Sequence, residues 1–107
     1  MTVFAFILEQ FPEFDVFTSN YPAWYRTEMN YGMAIRALEF AQELKRTNRF
    51  ADLQRLFDHV EAGMLRSDVE TPLCIDFVQR ISELARDEKA DFVARLGPSA
   101  KRCYDLG

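Results

Sequence analysis

The strongest constraint on this chain is a helical apolar period whose polar side is very narrow. Between residues 33 and 44, Met33, Ala34, Ala37, Leu38, Phe40, Ala41 and Leu44 recur at spacings of three and four. Arg36, Glu39, Glu43 and Arg46 form a narrow polar stripe at the same spacings. That spacing is the signature of an α-helix. A stripe so thin places the helix centrally, with neighbours on most sides. Arg36 with Glu39, and Glu43 with Arg46, are spaced to form favourable i,i+3 pairs. The pattern begins near Ala23, but Gly32 weakens it, and Asn30 is a good cap for a start at that point.

The same period runs through the rest of the chain. Thr2 to about Gln10 places Phe4, Ile7, Leu8 and Phe11 on one side of a first helix, and Pro12 ends it. A short second piece presents Phe14 and Phe17, and Ser19, Asn20 and Tyr21-Pro22 mark a break. After Asn48, read as an N-cap, a helix to about Arg66 buries Phe50, Leu53, Leu56, Phe57, Val60 and Met64. Ser67 and Asp68 form a turn and a new cap. One helix then runs through Pro72 to about Arg86, burying Leu73, Cys74, Phe77, Val78, Ile81, Leu84 and Ala85. Asp87 caps a further helix with Phe92 and Val93 inward. Gly97, in a left-handed C′ position, and Pro98 stop it before a last turn from Ser99 to Tyr104. Period-two alternation persists nowhere. The expected fold is all-α: one domain over residues 1–107, a compact bundle of about five to six antiparallel helices arranged as helical hairpins.

Chemistry-bearing residues are few. The only histidine, His59, falls on the polar side of its helix, and the two cysteines are too few to assemble a zinc site with it. Cys74 and Cys103 read as free thiols used as small apolar residues. A disulfide would need an oxidising compartment, and the apolar start Met1–Leu8 lacks a basic n-region and a cleavage site. A cytoplasmic location is therefore expected. No apolar run is long enough to span a bilayer. The four glycines match no phosphate loop or dinucleotide fingerprint. No catalytic residue, cofactor or metal is expected, and the chain reads as a binding protein rather than an enzyme.

Charge and aromatic content point to what it binds. The net charge of −4 is uneven: residues 58–76 carry Asp58, Glu61, Asp68, Glu70 and Asp76 against only Arg66. The absence of a basic stripe argues against nucleic acid, and an acidic stretch suits a basic protein partner. Glu61, Asp68, Glu70 and Asp76 are the candidate acidic surface. Nine of the fifteen aromatic residues precede residue 32, enough to supply both core and anchor. Trp24 and Tyr25 are adjacent, so one helix face cannot bury both, and they are the candidate aromatic anchor. An exposed apolar patch would serve a homodimer as well as a foreign partner.

The order of elements also carries a resemblance. Phe11-Pro12-Glu13-Phe14 comes first, then the helix Ala34–Leu44 and an Arg-Thr-Asn connection. The helix Leu53–Glu61, a helix carrying Phe77 and the closing Leu96-Gly97-Pro98 follow. This resembles a family of small uncharacterised bacterial helical domains found near polymorphic toxin and immunity genes. The chain departs from it in lacking a strongly acidic or aromatic-rich segment after the fourth helix. The resemblance implies an immunity-type inhibitor that binds and occludes a cognate toxin. The alternative is a helical adaptor or regulatory subunit unrelated to toxins.

Overall fold

The computed structural model describes all 107 residues. It is all-α, with eight helices: α1 (Val3–Leu8), α2 (Phe14–Phe17), α3 (Ala23–Glu28), α4 (Asn30–Arg46), α5 (Phe50–Gly63), α6 (Glu70–Leu73), α7 (Arg86–Arg95) and α8 (Pro98–Leu106). α6 runs directly into a π-helical turn, Cys74–Val78, and a 3-10 segment, Gln79–Glu83.

α4 occupies the position its thin polar stripe implies, packing against α1, α3, α5, α6 and the π-helical turn. The stripe pairs with itself, Arg36 with Glu39 at 3.1 Å and Arg46 with Glu43 at 2.6 Å. Its Phe40 ring is surrounded by Phe11, Phe14 and Phe17 at centroid distances of 5.2–5.5 Å. A second aromatic knot, Phe57 between Phe77 and Phe92, joins α5 to the π-helical turn and to α7. All buried apolar side chains form one contiguous core, to which α3 alone among the helices contributes none.

Several boundaries differ from those read in the sequence. Asn48 does not cap α5. It sits at φ 60°, its N–H bonds to the Lys45 carbonyl, and the Arg49 N–H bonds to the Leu44 carbonyl, which is a Schellman closure of α4. Asn30 opens α4, but its Oδ1 accepts from the Val3 N–H and so caps α1, 27 residues away. Gly97 is extended rather than left-handed, and it begins α8 instead of ending α7. Neither Asp68 nor Asp87 caps a helix: Val69 and Ala85 hold those positions, without side-chain bonds.

The single helix expected from Pro72 to Arg86 is broken into α, π and 3-10 turns. It stops at Glu83, leaving Leu84 half-buried and Ala85 exposed. α1 buries Val3, Phe6 and Ile7, while Phe4 and Leu8 lie at the edge of the core. Phe50 is 48% exposed, because it opens α5 one turn beyond the Leu53–Leu56–Phe57–Val60 face that the core covers.

Candidate functional site

The four acidic candidates do not form a common free surface. Glu61 turns toward α8, where its carboxylate accepts from the Ser99 and Ala100 N–H groups at 3.0 and 2.9 Å. These are otherwise unsatisfied donors of a helix N-terminus, where negative charge is favoured. A β-carbon on Gly97 would lie 2.6 Å from that carboxylate, so only glycine leaves it room. Asp68 meets the Met1 amino group at 3.0 Å, and the hydrogen bond from that amine holds its carboxyl below the usual range. Asp76 pairs with Arg80 at 2.8 Å, which raises the Arg80 guanidinium above its ordinary value. Glu70 alone is exposed and has no ionic partner. The Asp76–Arg80 pair has the i,i+4 spacing that a sequence shows, but the partners of Glu61 and Asp68 lie on remote parts of the chain and gave no such signal.

The aromatic candidates are separated as their adjacency implies. Trp24 is 59% exposed, whereas Tyr25 is half-buried against the core. Tyr25 stacks on Tyr21 at 4.9 Å and meets the Trp24 ring edge-on at 5.9 Å. Gly32 leaves the space its phenol fills. Tyr21 is in turn held by Arg36, which donates to its hydroxyl and lies over its ring. Arg26 fastens α3 by lying over Phe4 and pairing with Asp15 of α2. Met29 and Tyr31 are also exposed, so the corner where α3 meets α4 carries three large apolar side chains within eight residues. Met29 and Tyr31 were not among the sequence candidates; the signal was that both are large apolar residues outside the Met33–Leu44 apolar face.

His59 is not a surface residue. Its side chain is only 10% exposed and stacks on Phe6 at 3.9 Å. Its Nε2 lies 2.6 Å from the Phe6 carbonyl, and a carbonyl only accepts, so that nitrogen carries the proton. No group of three or more His, Cys, Asp or Glu side chains is placed to hold a metal.

The cysteines overturn the reading of free thiols. Cys74 and Cys103 form a disulfide joining the π-helical turn to α8, with Cα atoms 5.9 Å apart. Cys74 is half-buried rather than buried, and Cys103 is 6% exposed. Both line an open cleft of about 250 Å³. Met64, Leu65 and Leu106 are its apolar lining, and Glu70, Ser99 and Arg102 its polar lining. Leu65 and Leu106 are 78% and 84% exposed. Leu65 was detectable as an apolar residue adjacent to Met64 but off the buried face expected for a helix running to Arg66. Arg102, bonded only to the Ser99 hydroxyl at 3.3 Å, gave no such signal.

No helix is long and apolar enough to cross a membrane. Comparison with family models, with curated proteins and with solved structures finds no match to this chain.

Proposed function

We propose that this chain acts by binding another protein through the α3–α4 corner, with Trp24 as its anchor. The carrying observation is a large aromatic side chain that is exposed yet braced. Trp24 rests on Tyr25, which Tyr21, Arg36 and the gap at Gly32 hold in place. A braced aromatic loses little freedom on binding, and Trp and Tyr dominate binding hot spots. Glu28, at the end of α3, is exposed and has no ionic partner, so a basic partner finds a charge beside the anchor.

The narrower form of the proposal is an immunity-type inhibitor that covers the basic cleft of a cognate bacterial toxin. The net charge of −4 and the resemblance of the sequence support it. The acidic contribution comes from Glu28 and Glu70, since Glu61, Asp68 and Asp76 are committed within the chain. A helical adaptor would use the same corner on a different partner.

Coexpression with the product of the adjacent gene separates these readings. An inhibitor relieves the growth arrest that product causes, and Trp24→Ala restores the arrest while leaving the helical signal intact. In direct titration, Trp24→Ala weakens binding by about thirtyfold or more, the hot-spot scale. Glu28→Lys slows association in low salt. Binding without any effect on growth assigns the adaptor. Binding that Trp24→Ala leaves unchanged removes the corner.

The compartment follows the cysteine pair. An oxidising space keeps the disulfide, whereas a reducing cytoplasm holds the same two residues as neighbouring thiols.

A further inference from the structure

The geometry points to the Cys74–Cys103 cleft as a thiol–disulfide exchange site. Its ligand is a low-molecular-weight thiol bearing both a carboxylate and an ammonium group, as cysteine and glutathione do. The cleft shares Glu70 with the acidic contribution proposed above but is otherwise separate from the α3–α4 corner, so its test does not depend on that reading.

Three observations carry it. First, the disulfide can be reached. Both cysteines line the open cleft, and Cys74 is the more accessible of the two. Exposed disulfides are the labile kind; here Cys103 is buried, and the bond is approached from the half-buried Cys74 side. Secondly, the cleft carries one free charge of each sign. Most charged side chains nearby are paired or bonded: Asp68 with Met1, Asp76 with Arg80, Lys101 with Asp105, and Glu61 on the α8 N-terminus. Glu70 and Arg102 have no ionic partner, although both line the same cleft. Arg102 is suited to a carboxylate and Glu70 to an ammonium group. The volume of about 250 Å³ lies below that of drug-sized ligand pockets and suits a small molecule at an open mouth.

Thirdly, α8 does not depend on the bond for its place. Glu61 holds its first turn through two backbone N–H groups, and Ala100 and Cys103 are buried in the core. Gln79 bridges the cysteines, its amide donating to the Cys103 carbonyl at 3.2 Å and lying 3.7 Å from the Cys74 sulfur. Reduction therefore leaves the two sulfurs side by side, able to close again.

The step balances without an outside oxidant. The thiolate of the small molecule attacks the Cys74 sulfur, a new S–S bond forms there, and the Cys74–Cys103 bond breaks. Cys103 leaves as a thiolate, with the Arg102 guanidinium lining the same cleft. Return of Cys103 onto Cys74 expels the small thiol. Attack by a second small thiol instead releases Cys74 and yields the reduced pair and a small-molecule disulfide.

The test treats the full oxidised chain with glutathione, or with mercaptoethanol as a thiol lacking both charges. Acid-quenched samples are read by peptide mass spectrometry. Per thiolate, glutathione is expected to react at least about tenfold faster, the scale of a lost charge-assisted contact. The transient adduct falls on Cys74, and circular dichroism stays helical through reduction and reoxidation. Arg102→Ala and Glu70→Ala, both at exposed positions, each lower the ratio of the glutathione rate to the mercaptoethanol rate. Equal rates for the two thiols, an adduct on Cys103, or reduction that proceeds only as fast as global unfolding in denaturant would each overturn the assignment.

Discussion

At the scale of single residues, Glu61 shows how one side chain joins distant parts of the chain. Its carboxylate closes the N-terminus of α8 from a position 38 residues earlier, and Gly97 provides the opening. Glu61→Ala leaves two N–H groups without their acceptor and is expected to cost about 1–2 kcal/mol in chemical denaturation, the scale of a lost cap. Gly97→Ala pushes the carboxylate away and costs a similar amount. Because both act on one contact, the double variant loses less than the sum of the two. An additive result would show that Gly97 serves some other purpose. Asp52, in the first turn of α5, makes a different prediction. Hydrogen bonds from Arg49 and then Arg55 hold its folded-state carboxyl below the ordinary value. Its contribution is complete above the unfolded-state value of about 4 and disappears as pH falls through the lower folded value. Thermal melts should find Asp52→Asn less stable than the natural chain near neutrality, with the gap closing below about pH 4. A gap independent of pH would mean that the ion pairs are not its source.

At the scale of elements, the period of three and four identified the helices more reliably than capping rules identified their ends. A local motif such as Arg-Thr-Asn admits two readings: a cap for the next helix or a closure of the last. The deciding term is backbone conformation, because Asn tolerates a left-handed φ better than other residues with a β-carbon. At φ 60°, Asn48 does the work usually given to glycine. Asn48→Gly should therefore leave stability within a few tenths of a kcal/mol, whereas Asn48→Ala should lower it by about 1 kcal/mol. Were Asn48 an N-cap instead, the serine variant would hold stability as well as the glycine variant does, so Asn48→Ser in the same melts distinguishes the two roles. The break of the α6 tract into π and 3-10 turns was not legible at all. Leu73, Cys74, Phe77, Val78 and Ile81 are spaced as an unbroken α-helix would space them. The widening at Cys74–Val78 accompanies contacts with α4 and α8 that no local pattern encodes.

Across the whole molecule, what sequence left hidden is what joins remote elements. The core was legible because burial repeats with the helix. The candidate site was legible only at Trp24 and Tyr25, where two adjacent aromatics cannot share one face, and at Glu70. The disulfide escaped for a physical reason: on an apolar helix face a cysteine reads as one more small hydrophobic residue, whatever it is bonded to. Its closure spans 29 residues, and in the chain-entropy description such a loop contributes about 3–4 kcal/mol by restricting the unfolded chain. That contribution resides mainly in the unfolded state, while Glu61, Ala100 and Gln79 hold α8 in the folded one. The Cys74→Ser/Cys103→Ser chain should accordingly melt roughly 10–20 °C lower and yet keep its helical spectrum. Hydrogen exchange separates the two contributions. If the staple acts through the unfolded chain, protection falls by a similar free energy at the most protected amides of α4, α5 and α8. If it serves chiefly to pin α8, protection falls in α8 while α4 and α5 keep theirs, and the exchange site beside it would then lose its shape on reduction.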